Sequence, residues 1–600
     1  MNKFRHLSDG HKHYGPLALF LIQVFFSTFA LCNICGLSPS GILSVIVFGL
    51  LVSFFSYQKK KTAAAVLPRN FSWMCTLLAA LYMVFYMASE HKKLTGGFES
   101  RMFRFSFVLV TAIGLFFLFN ACCRLLMVLF SAAGPASFSK GLSRRQKGLI
   151  FAGLLLCWLP WFLYNYPGVM TPDSLSQFSQ ATGLIPYSSH HSILHTLIFS
   201  FFYHIGFALT HQVNAGIAFY IVFQMLTLAA VETCCLSLLA QKGVKKWMLT
   251  VWFLFWGLVP YHGIYAVTMW KDVLFSAFVL LYAIVLYRLL ELPDLSFKKD
   301  AGLLSLLFLS GWFTCMLRSN GLYIFVFTLP FVCFVFRRRI RIMGTIQLAV
   351  LLLALVVQGP VMDHFGVKKP HFTESLSIPL QQVARVVKEG RELTADQKEL
   401  INQVVDISLI PDYYNPSLSD PIKALVIYNN ADYLAANKSR FFRLWLELGL
   451  QYPRDYMEAF IDQTRGYWYP APADMRTNEG ISPNEIGLSW PHVLRGLLPV
   501  KISELLLKMP DLFPLYGLLW SIGAFTWAAL FLTAFQFLYG DRRYLILYLP
   551  FVGTVLTLLL ATPVASDIRY AYPLFLGMPF LLSVPVLTKR YCIPEQKRVK

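Results

Sequence analysis

Charge is scarce in this chain. Only 14% of its 600 residues are charged, 56% are hydrophobic, and the mean hydropathy is +0.56. A soluble globule of this length could not hide so much apolar surface, so an ordinary cytosolic enzyme is excluded. Acidic residues are scarcer than basic ones, 31 against 52, which leaves a net charge of +21. Cysteine is absent between residues 361 and 510, and the 11 cysteines fall in apolar runs or in the tail. That excludes a fold stapled by external disulfides. No fixed-period repeat and no low-complexity tract is visible, which excludes a solenoid or a disordered array.

What is present is a series of apolar runs near 20 residues, the length that carries a helix across a bilayer. Fourteen are read: 16–36, 40–57, 71–89, 105–130, 149–166, 214–240, 247–263, 272–290, 301–317, 321–336, 343–360, 512–538, 543–561 and 570–588. The first has basic flanks, but spans follow at once and no small-residue cleavage site is evident, so it reads as a retained helix. The fold class is therefore an all-α polytopic membrane protein. Its positive charge sits in short loops: 59–61, 144–147, 242–246, 298–299, 337–341, 542–543 and the tail from Lys589. This is the positive-inside pattern, so the charge sets orientation and implies no nucleic-acid partner.

Alternation of loops about those basic clusters puts both termini in the cytoplasm of a plasma-membrane protein. One segment, 191–210, is apolar enough for another span, yet counting it would place Lys242–Lys246 and Arg337–Arg341 outside. It therefore reads as an interfacial or re-entrant helix on the outer face. The loop 90–104 is a mild exception, external with a few basic residues. Four parts follow: a module of four spans (1–140), a membrane core (141–360) with the external loop 167–191, an external soluble domain (361–510), and the last spans with a cytoplasmic tail (511–600). The soluble segment holds 18 of the 31 acidic residues. Helical spacing marks 374–390, with a glycine stop. Thr394 is a suitable N-cap, and 439–453 is amphipathic. The stretch GYWYPAPADM, 466–475, is an aromatic, proline-rich loop suited either to a sugar or headgroup surface or to packing.

The same alternation gathers the unusual polar groups on the outer side. They are Asp173, Gln177 and the histidines His190, His191 and His195 in 167–196; Lys271 and Asp272 in MWKDVLF; Arg318 and Asn320 in LRSNGLY; and Arg569 with Tyr570 in DIRYAYPLF. Each has a second reading. Asp173 follows a proline and could cap the helix SLSQFSQATG. His191 and His195, four residues apart, share a helix face and could hold a metal or touch headgroups. Lys271, Asp272 and Arg569 could anchor span ends. Asn320-Gly321 reads as the turn between two spans, with Arg318 the residue that a turn does not explain.

An acidic residue in the first external loop after a core span, a histidine-bearing surface helix, and a second aspartate opening a later span resemble the GT-C superfamily of membrane glycosyltransferases, such as protein O-mannosyltransferases and lipid A aminoarabinose transferases. The counterparts are Asp173, the stretch 190–194 and Asp272; the prolines of that superfamily's surface-helix motif are absent here. The series PDSLSQ, YSSHHSILHT, MWKDVLF, LRSNGLY, ESLSIPLQQVARVV, GYWYP and DIRYAYPLF is similar to a family of bacterial polytopic proteins of this type, from Leu149 onward.

The resemblance implies a GT-C-like bundle that moves a sugar from a polyprenyl phosphate or diphosphate to an envelope glycan, a teichoic-acid-like polymer or a protein. Asp173 would be the general base. Lys271, Arg318, Arg569, Tyr570, His191 and His195 would bind the donor. Gln177, His190, Asp272, Asn320, Glu374 and Gln381 are further candidates, and Asp173 with Asp272 could hold a divalent cation such as Mg or Mn. A lipid-linked oligosaccharide flippase and a non-catalytic envelope-assembly protein remain as alternatives, because fold alone does not fix function.

Overall fold

The computed structural model describes residues 5–95, 100–132, 141–491 and 502–588. The C-terminal tail, residues 492–501 of the acidic segment and part of the loop at 90–104 lie outside them. Among the described residues the chain is helical, with no strand and a few isolated bridges. It falls into two compact units, one within Met1–Pro135 with Ala534–Asp541, the other within Ala136–Thr533 with Arg542–Thr588.

The first unit carries helices α1 (Arg5–Ile34), α2 (Ile42–Ala63), α3 (Phe71–Thr95) and α4 (Arg101–Ala132). Its packing is light. Val24, Leu51, Phe55 and Ala121 form a small core, while Ile42, Val45, Trp73 and Phe103 face outward. Apolar side chains on the outside of a helical bundle are what a lipid surround requires.

The second unit continues with α5 (Arg144–Tyr164), α6 (Pro172–Ala181), α7 (Ile193–Thr210), α8 (Val213–Gln241), α9 (Lys246–Leu258), α10 (Pro260–Ala266), α11 (Lys271–Glu291), α12 (Ala301–Leu317) and α13 (Ser319–Val335). Helix α11 and the final helix, Ile568–Thr588, are its deepest elements, buried along nearly their whole length. Between α13 and those last helices lies a helical segment whose core joins Leu380, Val383, Val386, Ile401, Val426, Phe441 and Leu448. Thr394 caps the helix Ala395–Val404 with Gln397 as its reciprocal partner, and Gly390 ends Ser377–Lys388 at φ +64°.

Eleven helices among the described residues are long and apolar enough to cross a membrane, so this is a membrane-embedded helical protein. Four of the fourteen expected spans are shorter helices: Lys246–Leu258, Ala301–Leu317, Ser319–Val335 and Leu549–Ala561. The run 247–263 divides at Pro260, which opens α10 instead of continuing α9. Helix α7, expected at the interface, has the length and hydropathy of a span. The expected turn at Asn320-Gly321 is absent. Arg318 alone is extended (φ −141°, ψ 145°), and Ser319 already opens α13. Gly321 is needed for close approach rather than for a turn, because a Cβ there would lie 1.9 Å from the Thr314 carbonyl oxygen.

A charged cluster where five helix ends meet

The start of α11, the junction between α12 and α13, the start of α6 and the start of the final helix come together at one end of the second unit. Extended backbone fixes their register. Val169 N–H donates to Val267 O and Met269 N–H to Val169 O, both at 2.9 Å. Met170 N–H donates to Gly480 O, and Ser482 N–H returns to Met170 O. Met475 N–H donates to Ser566 O at 2.9 Å and Ile568 N–H to Met475 O at 3.2 Å. Gly168, at φ +152°, lets the first of these segments pass over Ile221, whose Cγ1 would be 2.6 Å from a Cβ.

Thr171 is the N-cap of α6, reciprocally bonded with Ser174, so Asp173 does not cap the helix. Ser174 Oγ donates to Met269 O (2.7 Å), and Trp270 Nε1 donates to Thr171 Oγ1 (2.9 Å). These bonds tie the Asp173 turn to the residues just before Lys271. Asp173 is thereby free to reach Arg569, whose Nη1 is 3.1 Å from its Oδ2. The same guanidinium lies 3.7 Å, through Nε, from Asp272 Oδ2. Arg318 Nη1 meets the other oxygen of Asp272 at 2.7 Å. Aromatic faces complete the holding of the arginines: Arg569 over Trp270 (4.9 Å) and Tyr570 (4.7 Å), Arg318 over Tyr570 (4.9 Å). Arg569 also donates to the Tyr570 hydroxyl at 2.8 Å.

Lys271 Nζ donates to His191 Nδ1 at 3.1 Å. An ammonium has no lone pair, so Nδ1 is the acceptor and the ring proton sits on Nε2. Burial, joined by the charge of Lys271, holds His191 neutral with a pKa of about 3. Burial works to raise Asp173, but Arg569 and Lys271 outweigh it and keep this carboxyl well below the usual carboxylate range. Asp567 has gone the other way. Burial pushes it up to about 6, against the pull of Arg569, while its Oδ1 accepts the Arg569 backbone N–H at 2.9 Å. Three cationic side chains, two paired aspartates, and the positive ends of α6, α11 and the final helix thus surround one point. Asp173 is the carboxylate that solvent reaches, 34% exposed against 2% for Asp272.

The remaining expected residues divide. His195 is fully buried under the cluster; Nδ1 meets Gln177 Oε1 (3.1 Å) and Nε2 meets the Tyr220 hydroxyl (2.6 Å). Gln177 therefore supports His195 and Thr196, to whose hydroxyl it donates at 2.9 Å. His190 is exposed, edge-on to His191. Asn320 turns to Thr557. Glu374 pairs with Lys423 and Gln381 donates to Asn415 O, both inside the helical segment beyond α13. No group of three His, Cys, Asp or Glu side chains gathers among the described residues, and Arg569 occupies the space between Asp173 and Asp272. Trp270 and Gln224 escaped the sequence reading. Gln224 Nε2 donates to the carbonyls of Ala266 (3.0 Å) and Thr268 (2.8 Å) and fixes the approach to Lys271. The available signal was polar residues one turn apart, Tyr220 and Gln224, inside a 29-residue apolar helix.

The fold and this cluster define a helical, membrane-embedded protein with an anion-suited polar site at the ends of its helices. The profile of a family of unknown function, DUF6020, matches residues 184–598. The chain belongs to that family. Asp173 lies ahead of the matched region, whereas His191, Lys271, Asp272, Arg318 and Arg569 lie within it. No curated protein and no solved structure matches the chain.

Proposed function

We propose that the protein is a membrane glycosyltransferase of GT-C type that takes a sugar from a polyprenyl phosphate or diphosphate and passes it to an envelope acceptor on the outer face of the plasma membrane. The observation that carries this reading is one cluster at the ends of apolar helices, in which Arg569 bridges the solvent-reachable Asp173 to the buried Asp272, Arg318 pairs with Asp272, and Lys271 meets His191. A lipid phosphate keeps its tail in the bilayer, so its charge must be met at that depth. Arginine forks and a neutral His191 Nε2–H are suited to phosphate oxygens.

Asp173 is the proposed base. In the resting site it is a weak one, because Arg569 stabilises its ionised form. A donor phosphate that draws the Arg569 guanidinium onto itself removes that stabilisation and makes Asp173 more basic when the acceptor hydroxyl must lose its proton. The acceptor oxygen then attacks the anomeric carbon, the bond to the phosphate oxygen breaks, the phosphate departs with the electron pair, and the proton rests on Asp173. Arg318, Lys271 and Arg569 hold the negative charge of the departing phosphate. Asp173→Asn keeps the size of the side chain and cannot take a proton. In purified, reconstituted protein it is expected to insert normally and to lose polyprenyl-phosphate-dependent sugar transfer by about a hundredfold or more. Near-normal transfer by a well-folded Asn variant would remove Asp173 from the chemistry.

A further inference from the structure

A second polar group lies inside the second unit, built from residues that the charged cluster does not use. Glu232 on α8, Tyr261 and His262 on α10, and Tyr572 on the final helix are each at most 1% exposed. His262 Nδ1 meets the Tyr572 hydroxyl at 2.9 Å. Both carboxyl oxygens of Glu232, the Tyr261 hydroxyl and His262 Nε2 are buried and have no hydrogen-bond partner. Helix α8 packs against both α10 and the final helix, which brings these groups near one another. The Tyr261 and His262 rings are 4.6 Å apart, and Tyr572 lies within electrostatic reach of both Glu232 and Tyr261.

Four polar atoms left unmet in one place are costly. Each buried group without a partner has given up its hydrogen bonds to water, and a hydrocarbon surround supplies no bulk water to restore them. Buried water relieves such groups in proteins, where one molecule makes two to four hydrogen bonds. A donor-and-acceptor molecule is also what this lining requires. Glu232 brings acceptors, the two phenols bring either role, and the unmet nitrogen of His262 takes whichever role the Tyr572 bond leaves it.

We propose that Glu232, Tyr261, His262 and Tyr572 line a buried water site within the membrane-embedded bundle, in which water bridges the Glu232 carboxyl to the Tyr572–His262 pair. The site is independent of the transferase reading, since it shares no side chain with the Asp173 cluster.

Pulsed radiolysis of the full-length protein in detergent, followed by mass spectrometry, tests this, because hydroxyl radicals form from the water held beside a side chain. Tyr467 and Tyr548 are equally buried but have protein partners, Val564 O and Leu581 O, and serve as internal references. Tyr261 and Tyr572 are expected to be oxidised at least about fivefold faster than those two. Glu232→Gln retains polar atoms and should keep that labelling; Glu232→Leu should reduce it toward the reference rate. Wild-type labelling of Tyr261 and Tyr572 no faster than Tyr467 and Tyr548 overturns the proposal, as does labelling unchanged by Glu232→Leu in a folded variant. If the Leu variant does not fold, the wild-type comparison still decides.

Discussion

Arg569 serves two carboxylates, a hydroxyl and two aromatic faces at once, and its planar fork is what permits it. A lysine at this position offers one point charge and cannot span Asp173 and Asp272 together. Arg569→Lys is therefore expected to weaken donor use clearly, and Arg569→Ala further, at unchanged protein level; donor-dependent transfer rates at matched expression measure it. A simple membrane anchor would tolerate lysine almost freely, since lysine snorkels as well as arginine. Asp567 makes a separate prediction. Its folded pKa of about 6 lies above that of an unfolded aspartate near 3.9, so the folded state binds the proton more tightly. Stability is then lost as pH rises from about 4 to about 6, on the order of 2 kcal/mol. Asp567→Asn, which can still accept the Arg569 N–H, should flatten that part of a stability-against-pH curve; an unchanged slope between those pH values counts against the assignment. At this scale Arg569, Arg318, Lys271 and Asp173 were legible in the sequence, because charge next to an apolar run is conspicuous. Which of them touch was not, since their partners lie tens to hundreds of residues away. Glu374, Gln381 and Asn320 stood in similar contexts and pair elsewhere.

Elements were legible where periodicity and caps agree, as at Thr394 and Gly390. They were misread where one residue overrules the hydropathy. Pro260 lacks an N–H and disfavours a helical conformation in the residue before it, so the apolar run 247–263 becomes two helices although its composition suggests one. Asn320-Gly321 carries turn chemistry, but the close packing of Gly321 against Thr314 explains that glycine. Gly321→Ala places a methyl group 1.9 Å from a backbone oxygen, which no rotamer relieves. It should cost about 1–3 kcal/mol, read as a lower unfolding temperature in detergent. Gly302→Ala in α12 meets nothing within 4 Å and is the matched control, expected to stabilise by a few tenths to about 1 kcal/mol. A Gly321→Ala variant as stable as this control would contradict the close-packing account. The bridged segments around Val169, Met269, Met475 and Ile568 left no sequence signal, because backbone pairing of one or two residues has no period to detect.

For the whole molecule, a polytopic helical protein was legible from composition together with the apolar runs near 20 residues, and the number and identity of its crossings depend on α7. The proposed orientation follows from the basic loops and is open to direct measurement. In a Cys35→Ser background, needed because Cys35 is exposed, Ser188→Cys should react with an impermeant thiol reagent in intact cells and Lys245→Cys should not. Labelling of Lys245→Cys alone inverts the topology and with it the proposed outer-face site.

The charged cluster draws on residues 173, 191, 271, 318 and 569, and this spread has a consequence for the order of synthesis. A chain emerging from the ribosome acquires Asp272 and its partner Arg318 early, within the same stretch of translation. Asp173 has been made by then, but the guanidinium that meets it belongs to the final helix, some 400 residues later by number. Until that helix inserts, the nascent protein carries an aspartate without Arg569 and an incomplete charged cluster. Under the proposed transferase function, an unfinished chain would be unable to engage a lipid-linked substrate, and assembly itself would act as the checkpoint that keeps partly made copies silent.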